Sequence, residues 1–163
     1  MTDQRSPIRT ACRGLAGWGL AAWILSAPAV PASAGPLFEE TGDPARRAIV
    51  DLAHQRIATC TAFFLIAAEG TPPNAANRPA LEQLDQAADG LVGQMLRLRD
   101  EAMTRARIES ERQWLMQSIG GSLAGYPRLH EALAGPCAKI AADPQGHVAD
   151  LLAGKTPRAP SVR

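Results

Sequence analysis

Apolar positions along the chain form three runs that differ in period. The first, Gly14 to Val30, is almost unbroken and holds Trp18, Leu20, Trp23, Ile24 and Leu25. Arg5, Arg9 and Arg13 precede it, Pro28 and Pro31 close it, and Ala32-Ser33-Ala34 follows. A basic start, an apolar middle and small residues at alternate positions make the three-part pattern of a secretory signal. Residues 1–34 are therefore expected to be a signal peptide, cleaved after Ala34. An uncleaved anchor fits less well, because a spanning helix needs about 20 mainly apolar residues, and this run carries three glycines and ends in prolines. Arg5 and Arg9 are not adjacent, so no twin-arginine signal is present. Cys12 lies before the run, away from any cleavage-site lipid attachment.

The second run has a helical period. Ile49, Leu52/Ala53, Ile57, Cys60, Phe63/Phe64 and Ala67 recur at steps of three and four, one stripe of an amphipathic helix. Asp43 is placed to cap it and Pro44 suits its first position. Gly70-Thr71-Pro72-Pro73 ends it.

The third run, after a loop at 71–78 with Asn77 as cap, predicts a helix from about Pro79 to Ser118. Its apolar line is Leu81, Leu84, Ala88, Leu91, Met95, Leu98 and Ala102; it weakens near Thr104 and resumes with Ile108, Leu115 and Ile119. Arg97, Glu101, Arg105 and Glu109 alternate in sign at four-residue steps, and Arg107 stands four before Glu111. Such pairs support one continuous helix with a solvated charged face. A helix of that length spans about 60 Å, long for the chain available, so a break or an overhang is also expected. Gly90 and Gly93 soften its early part. Gly120-Gly121-Ser122 and Gly125 read as a turn, Pro127 to Leu133 as a short helix stopped by Gly135-Pro136, and Cys137 to Ala142 as another. Asp143-Pro144 starts a last helix with Val148, Leu151 and Leu152 inward and Gly154 at its end; residues 155–163 read as a disordered tail. The sequence thus predicts an all-α fold: two long antiparallel helices with short C-terminal helices packed back on them. One helical domain would span 35–154. No internal repeat is visible, nor a second apolar run that reads as a span, so the mature chain is expected to be soluble.

Export changes the composition that matters. Without residues 1–34 the chain keeps 129 residues, 14 basic and 15 acidic side chains, a net charge of −1. That balance argues against nucleic acid as a partner, because neutralising phosphates needs a basic excess. Alanine is abundant and aromatics make up 4% of the whole chain, which favours helices that approach closely over bulky cores. Export also leaves two cysteines, Cys60 and Cys137, 77 residues apart. In an oxidising compartment an even pair reads as a disulfide, and no second close Cys or His completes a zinc spacing. Closing that loop is worth at most about 4.5 kcal/mol on the chain-entropy model.

Candidate chemistry is sparse. Gly154-Lys155-Thr156 lacks the earlier glycine and following helix of a phosphate loop. Gly120-Gly121-Ser122 lacks the strand and spacing of a nucleophile elbow. Asp51 and His54 stand one helical turn apart, half of the acid–x–x–His pattern of bundle iron sites, with Asp for Glu. His130 is a candidate third ligand only by tertiary accident, and a helix-surface hydrogen bond is the better reading of Asp51 and His54. Met95, Met103 and Met116 share no single face and read as core or exposed residues, not copper ligands. Trp114 reads as a core aromatic. No cofactor is expected, and no acid, base or nucleophile has a visible partner. The expectation is a non-enzymatic accessory protein of the bacterial cell envelope, periplasmic or secreted, acting through a protein partner or through self-association. The alternative is a periplasmic binder of a metal or small ligand near Asp51, His54 and His130.

Overall fold

Asp43 starts the first helix as its sequence predicts: its side chain accepts from the Ala45 backbone N–H at 2.9 Å, with Pro44 at the first turn. A computed structural model describes residues 43–155; the expected signal peptide, its cleavage point and the expected tail at 155–163, apart from Lys155, lie outside the described residues. Five helices follow one another: α1 (Pro44–Gly70), α2 (Arg78–Leu98), α3 (Glu101–Ser118), α4 (Tyr126–Ala142) and α5 (Pro144–Leu152). A single 3-10 turn, Leu123–Gly125, precedes α4.

α1 is the axis of this arrangement. It packs against all four other helices. Every residue from Arg56 to Phe64 is buried, two and a half turns with no solvated face. The single apolar stripe expected from the sequence is therefore too narrow a description. Small residues at Ala53, Ala58 and Ala62, all fully buried, let neighbouring backbones come close on several sides. By length and hydropathy α1 would pass for a membrane span, with an 18-residue window of mean hydropathy 1.3, yet 72% of that window is buried inside the fold. A helix enclosed by its own protein meets the same composition demand as one enclosed by lipid.

Side-chain pairings give the directions. Thr61 and Asp51 on α1 meet Met95 and Arg99 at the end of α2, so α2 runs antiparallel to α1. His54 and Thr59 meet Thr104 and Glu111, so α3 runs parallel to α1. Phe63 stacks on Tyr126 at 6.1 Å while Cys60 reaches Cys137, so α4 is antiparallel again.

The expected pair of long antiparallel helices is overturned by the reversal at Arg99-Asp100. Arg99 is extended (φ −146°, ψ 163°) and its N–H closes α2 onto the Met95 carbonyl. Asp100 caps α3 by accepting from the Met103 N–H at 2.8 Å. Arg99 donates to Asp51 Oδ1 at 2.7 Å, which ties the turn to α1. The described residues form five helices of varied length, not a hairpin of two long ones. The charge ladder is cut between Arg97 and Glu101, and of its three steps only the middle one, Arg105 to Glu101 at 2.7 Å, forms an ion pair among the described residues. The C-terminal helices differ in the opposite sense. Pro136 lies inside α4, not between two short helices. Leu129, Leu133, Cys137 and Ile140 form one buried face across it, and that burial outweighs the backbone hydrogen bond a proline forfeits. Asn77 does not cap α2; its side-chain amide donates to the Pro72 carbonyl instead. Asp143 does cap α5, through the Gly146 N–H at 2.8 Å. Gly120 and Gly121 both take positive φ, 79° and 72°, which lets the chain turn sharply out of α3 at a backbone geometry other residues adopt only under strain.

The Cys60–Cys137 disulfide is present, with Cα atoms 5.1 Å apart and both residues fully buried. It joins the middle of α1 to the second half of α4. Replacing both cysteines with alanine should lower the urea midpoint by an amount corresponding to about 2–4 kcal/mol; an unchanged midpoint would show that burial alone holds α4 in place.

Candidate functional site

Enclosing α1 also encloses its polar side chains, and these form the most chemically distinctive region of the described residues. On the α3 side, His54 Nε2 and Thr104 Oγ1 are hydrogen-bonded at 3.2 Å, both side chains buried. One turn further, Thr59 donates to Glu111 Oε2 at 2.9 Å. Exposed pairs close both ends of this seam: Asp51 with Arg99 at 2.7 Å, and Glu69 accepting two bonds from Arg112 at 2.8 and 2.9 Å. Thr61 instead returns its hydroxyl to the Ile57 carbonyl of its own helix. Three residues of α3 itself are buried, Thr104, Glu111 and Leu115, with Ile119 just beyond it. Polar pairing therefore carries much of the α1–α3 contact.

The electrostatics of His54 follow from this setting. Burial comes first, then the charges of Arg107 and Arg99; together they push its pKa down to about 4, against the weaker pull of Asp51 and Asp100. The imidazole is neutral at physiological pH, hydrogen-bonded and 2% exposed. It lacks the basicity and the access of a general base near neutrality.

On the other side of α1, Arg56 and the α5 residue His147 are both buried. Burial, followed by the Arg56 charge, holds His147 below the usual histidine range, with Asp150 opposing. His147 Nε2 is buried with no hydrogen-bond partner among the described residues.

The residues singled out in the sequence separate. Asp51 is on the same side as His54, but its carboxylate is taken by Arg99 and is half exposed. His130 sits on α4 with its ring 6.0 Å from that of Tyr126, which stacks on Phe63. Phe63 is nine residues beyond His54 on α1, about 14 Å along the helix. Among the described residues no group of three or more His, Cys, Asp or Glu side chains is placed to hold a metal ion. Sequence reasoning does not single out Thr104, Glu111 or Arg56, and it reads His147 only as a lone histidine on a short helix. Thr104 had a signal, since the apolar line weakens there because a hydroxyl takes a core position. Glu111 looked like the solvated partner of Arg107, but is buried on Thr59. Trp114, expected in the core, is 46% exposed on α3. Met95 is buried, while Met103 is 47% exposed.

No protein-family model matches the chain, and no curated protein or solved structure matches it significantly.

The buried histidine makes stability depend on pH. Its folded pKa lies below the unfolded 6.5, so the unfolded chain takes up the proton first. The fold carries no such penalty above about pH 6.5 and loses about 3 kcal/mol as pH falls through 4. His147 adds a loss of the same sign. Urea midpoints compared at pH 7 and pH 4.5 should differ less in His54→Gln than in the wild type. Equal differences would show that His54 is not held neutral.

Proposed function

We propose that the protein is an exported, non-enzymatic helical domain of the bacterial cell envelope that works by contacting protein through the outer face of α3. The observation that carries this reading is how α3 divides its residues. Thr104, Glu111 and Leu115 turn inward to α1, while Met103 and Trp114, two large apolar side chains, are left about half exposed on the outside. Tryptophan is among the side chains most enriched where a few residues dominate the binding energy of a protein interface. Three polar side chains of the α1–α3 seam, by contrast, are engaged in holding the fold: His54 on Thr104, Glu111 on Thr59 and Asp51 on Arg99. Two further features support export. Residues 1–34 have the composition of a secretory signal, and Cys60 and Cys137 are paired in the core, a pairing that persists in oxidising compartments.

The reading is tested in cells that express the full chain with a photo-crosslinking residue at Gln113, an exposed position beside Trp114. Cell fractionation should place the protein outside the cytoplasm, beginning near Gly35, with both remaining thiols protected from alkylation. Irradiation should give a discrete protein adduct. A cytoplasmic protein with free thiols would remove the export half of the reading; no protein adduct from Gln113, or from a second probe at Ala106, would remove the contact half.

A further inference from the structure

The outer face of α3 carries more than exposed apolar area. Met103, Arg107, Ser110 and Trp114 lie at steps of four, three and four, the spacing that keeps one stripe of a helix facing a partner helix. Met103, Ser110 and Trp114 are exposed and Arg107 is half-buried. Between the two large residues the exposed side chains Ala106 and Ser110 are small, so another backbone can come close there. Met103 and Trp114 stand about 16 Å apart along the helix.

Arg107 is the one charge on this stripe, and no carboxylate among the described residues forms an ion pair with it. Of the three arginines in α3, Arg105 pairs with Glu101, and Arg112 pairs with Glu69 and Glu109. Arg107 makes no ion pair among the described residues. The carboxylates of α3 are taken elsewhere, Glu111 inward on Thr59, Glu101 and Glu109 on those two arginines. The face is thus apolar at both ends and cationic between them.

A symmetric α3–α3 contact with a second copy of this chain does not complete it. An antiparallel α3 that sets Met103 on the partner's Trp114 puts Arg107 opposite the partner's Ser110. Two arginines then approach each other across the two-fold axis with no carboxylate on either stripe to offset them. We infer that the occupant is a helical segment of a different protein, presenting one carboxylate to Arg107 between two apolar side chains that cover Met103 and Trp114. The spacing of α3 sets the spacing of that segment. Its acid stands one turn from the apolar residue that meets Met103, and two turns from the one that meets Trp114. The inference rests on the contact reading above and names the partner's chemistry. Apolar contact at the two ends supplies the buried area, and the central charge pair fixes direction and register.

The full chain with the probe at Gln113 supplies the segment: mass spectrometry of the adduct identifies the peptide captured. It should contain Asp or Glu at the stated spacing from two apolar residues. A synthetic peptide of that segment is then titrated into the purified protein with its disulfide intact. Trp114 is the only tryptophan beyond residue 34, so its emission reports docking directly and should shift to shorter wavelength. Arg107→Glu should weaken binding about tenfold or more, since it sets like charges together. Arg107→Lys should weaken it far less. A peptide whose acid is replaced by lysine should bind the Arg107→Glu variant better than it binds the wild type. Helical circular dichroism of each variant should match the wild type, and only variants that match are compared. A captured segment without an acid at that spacing, a peptide indifferent to charge at position 107, or an adduct between two copies of this chain would overturn the inference and leave the contact reading standing. No adduct from either probe would overturn both.

Discussion

One helix without a solvent-facing side through its middle sets the terms for the rest of this structure. From Arg56 to Phe64, α1 meets protein on every face. A helix in that position cannot be amphipathic in the usual sense. It has to be apolar enough to be enclosed, small enough in places for neighbours to approach, and satisfied wherever it carries a polar group. Ala53, Ala58 and Ala62 meet the second demand. Thr59 and Thr61 each meet the third through a carbonyl of their own helix, Gln55 and Ile57; His54 takes its partner from α3, and Thr59 reaches Glu111 there as well. Losing a partner from such a buried group costs about 1–3 kcal/mol, more than the bond itself contributes net. The enclosing helices are therefore tied to α1 by what its polar residues require as well as by apolar burial.

The helices around α1 are held by different means. α2 brings Ala88, Leu91, Met95 and Leu98 to the core, at roughly 1.5–3 kcal/mol for each large side chain fully buried. α4 brings Leu129, Leu133, Ile140 and a covalent link through Cys137. α3 brings Leu115 as its one buried large apolar side chain, two buried hydroxyl or carboxylate partners, and the exposed ion pairs at its margins. Exposed ion pairs contribute little individually, about 0–1 kcal/mol. α3 is thus the long helix whose attachment depends most on protonation state. Arg99 and Arg107 both lower the proton affinity of His54, so a proton placed there would sit between two cations at the α1–α3 contact.

How much of this was legible varies with the kind of signal each element carries. α1 was legible at both ends because Asp43-Pro44 and Gly70-Thr71-Pro72-Pro73 are chemical punctuation. The disulfide was legible because only two cysteines stand beyond the apolar N-terminal run. The α2–α3 reversal was not. It uses neither glycine nor proline, only an extended Arg99 and a capping Asp100, and both residue types also occur inside helices. Arg97 and Glu101 stood at the spacing of a helical ion pair, so the local pattern argued for continuity where the tie from Arg99 to Asp51 imposes a turn. Pro136 misled in the other direction: its local penalty is real, but the buried face from Leu129 to Ile140 spans it. At the candidate site, spacing along one helix brought Asp51 and His54 together on paper. It could not reveal that α3 supplies Thr104 and Glu111, because those contacts are 50 and 52 residues away in sequence.

The missed reversal is also what creates the outward stripe. In one continuous helix, the segment from Glu101 to Ser118 would run on past the start of α1, and Thr104 and Glu111 would have no reason to be on a particular face. Folding back at Arg99-Asp100 lays α3 along α1 in the same direction. That fixes which of its residues point in: Thr104, Glu111 and Leu115. Met103, Ser110 and Trp114 are then fixed on the outer side by helical geometry, with Arg107 at its edge, whatever their own preferences. A serine in that position is ordinary. Two large apolar residues bracketing an arginine without a carboxylate are not what solvent exposure alone favours, since each apolar side chain would gain by burial. Turning Glu111 inward to satisfy Thr59 also removes the acid that stands one turn from Arg107 in sequence. The inner face of α3 is explained by the needs of α1, whereas no contact among the described residues accounts for the large apolar side chains Met103 and Trp114 left exposed on the other side.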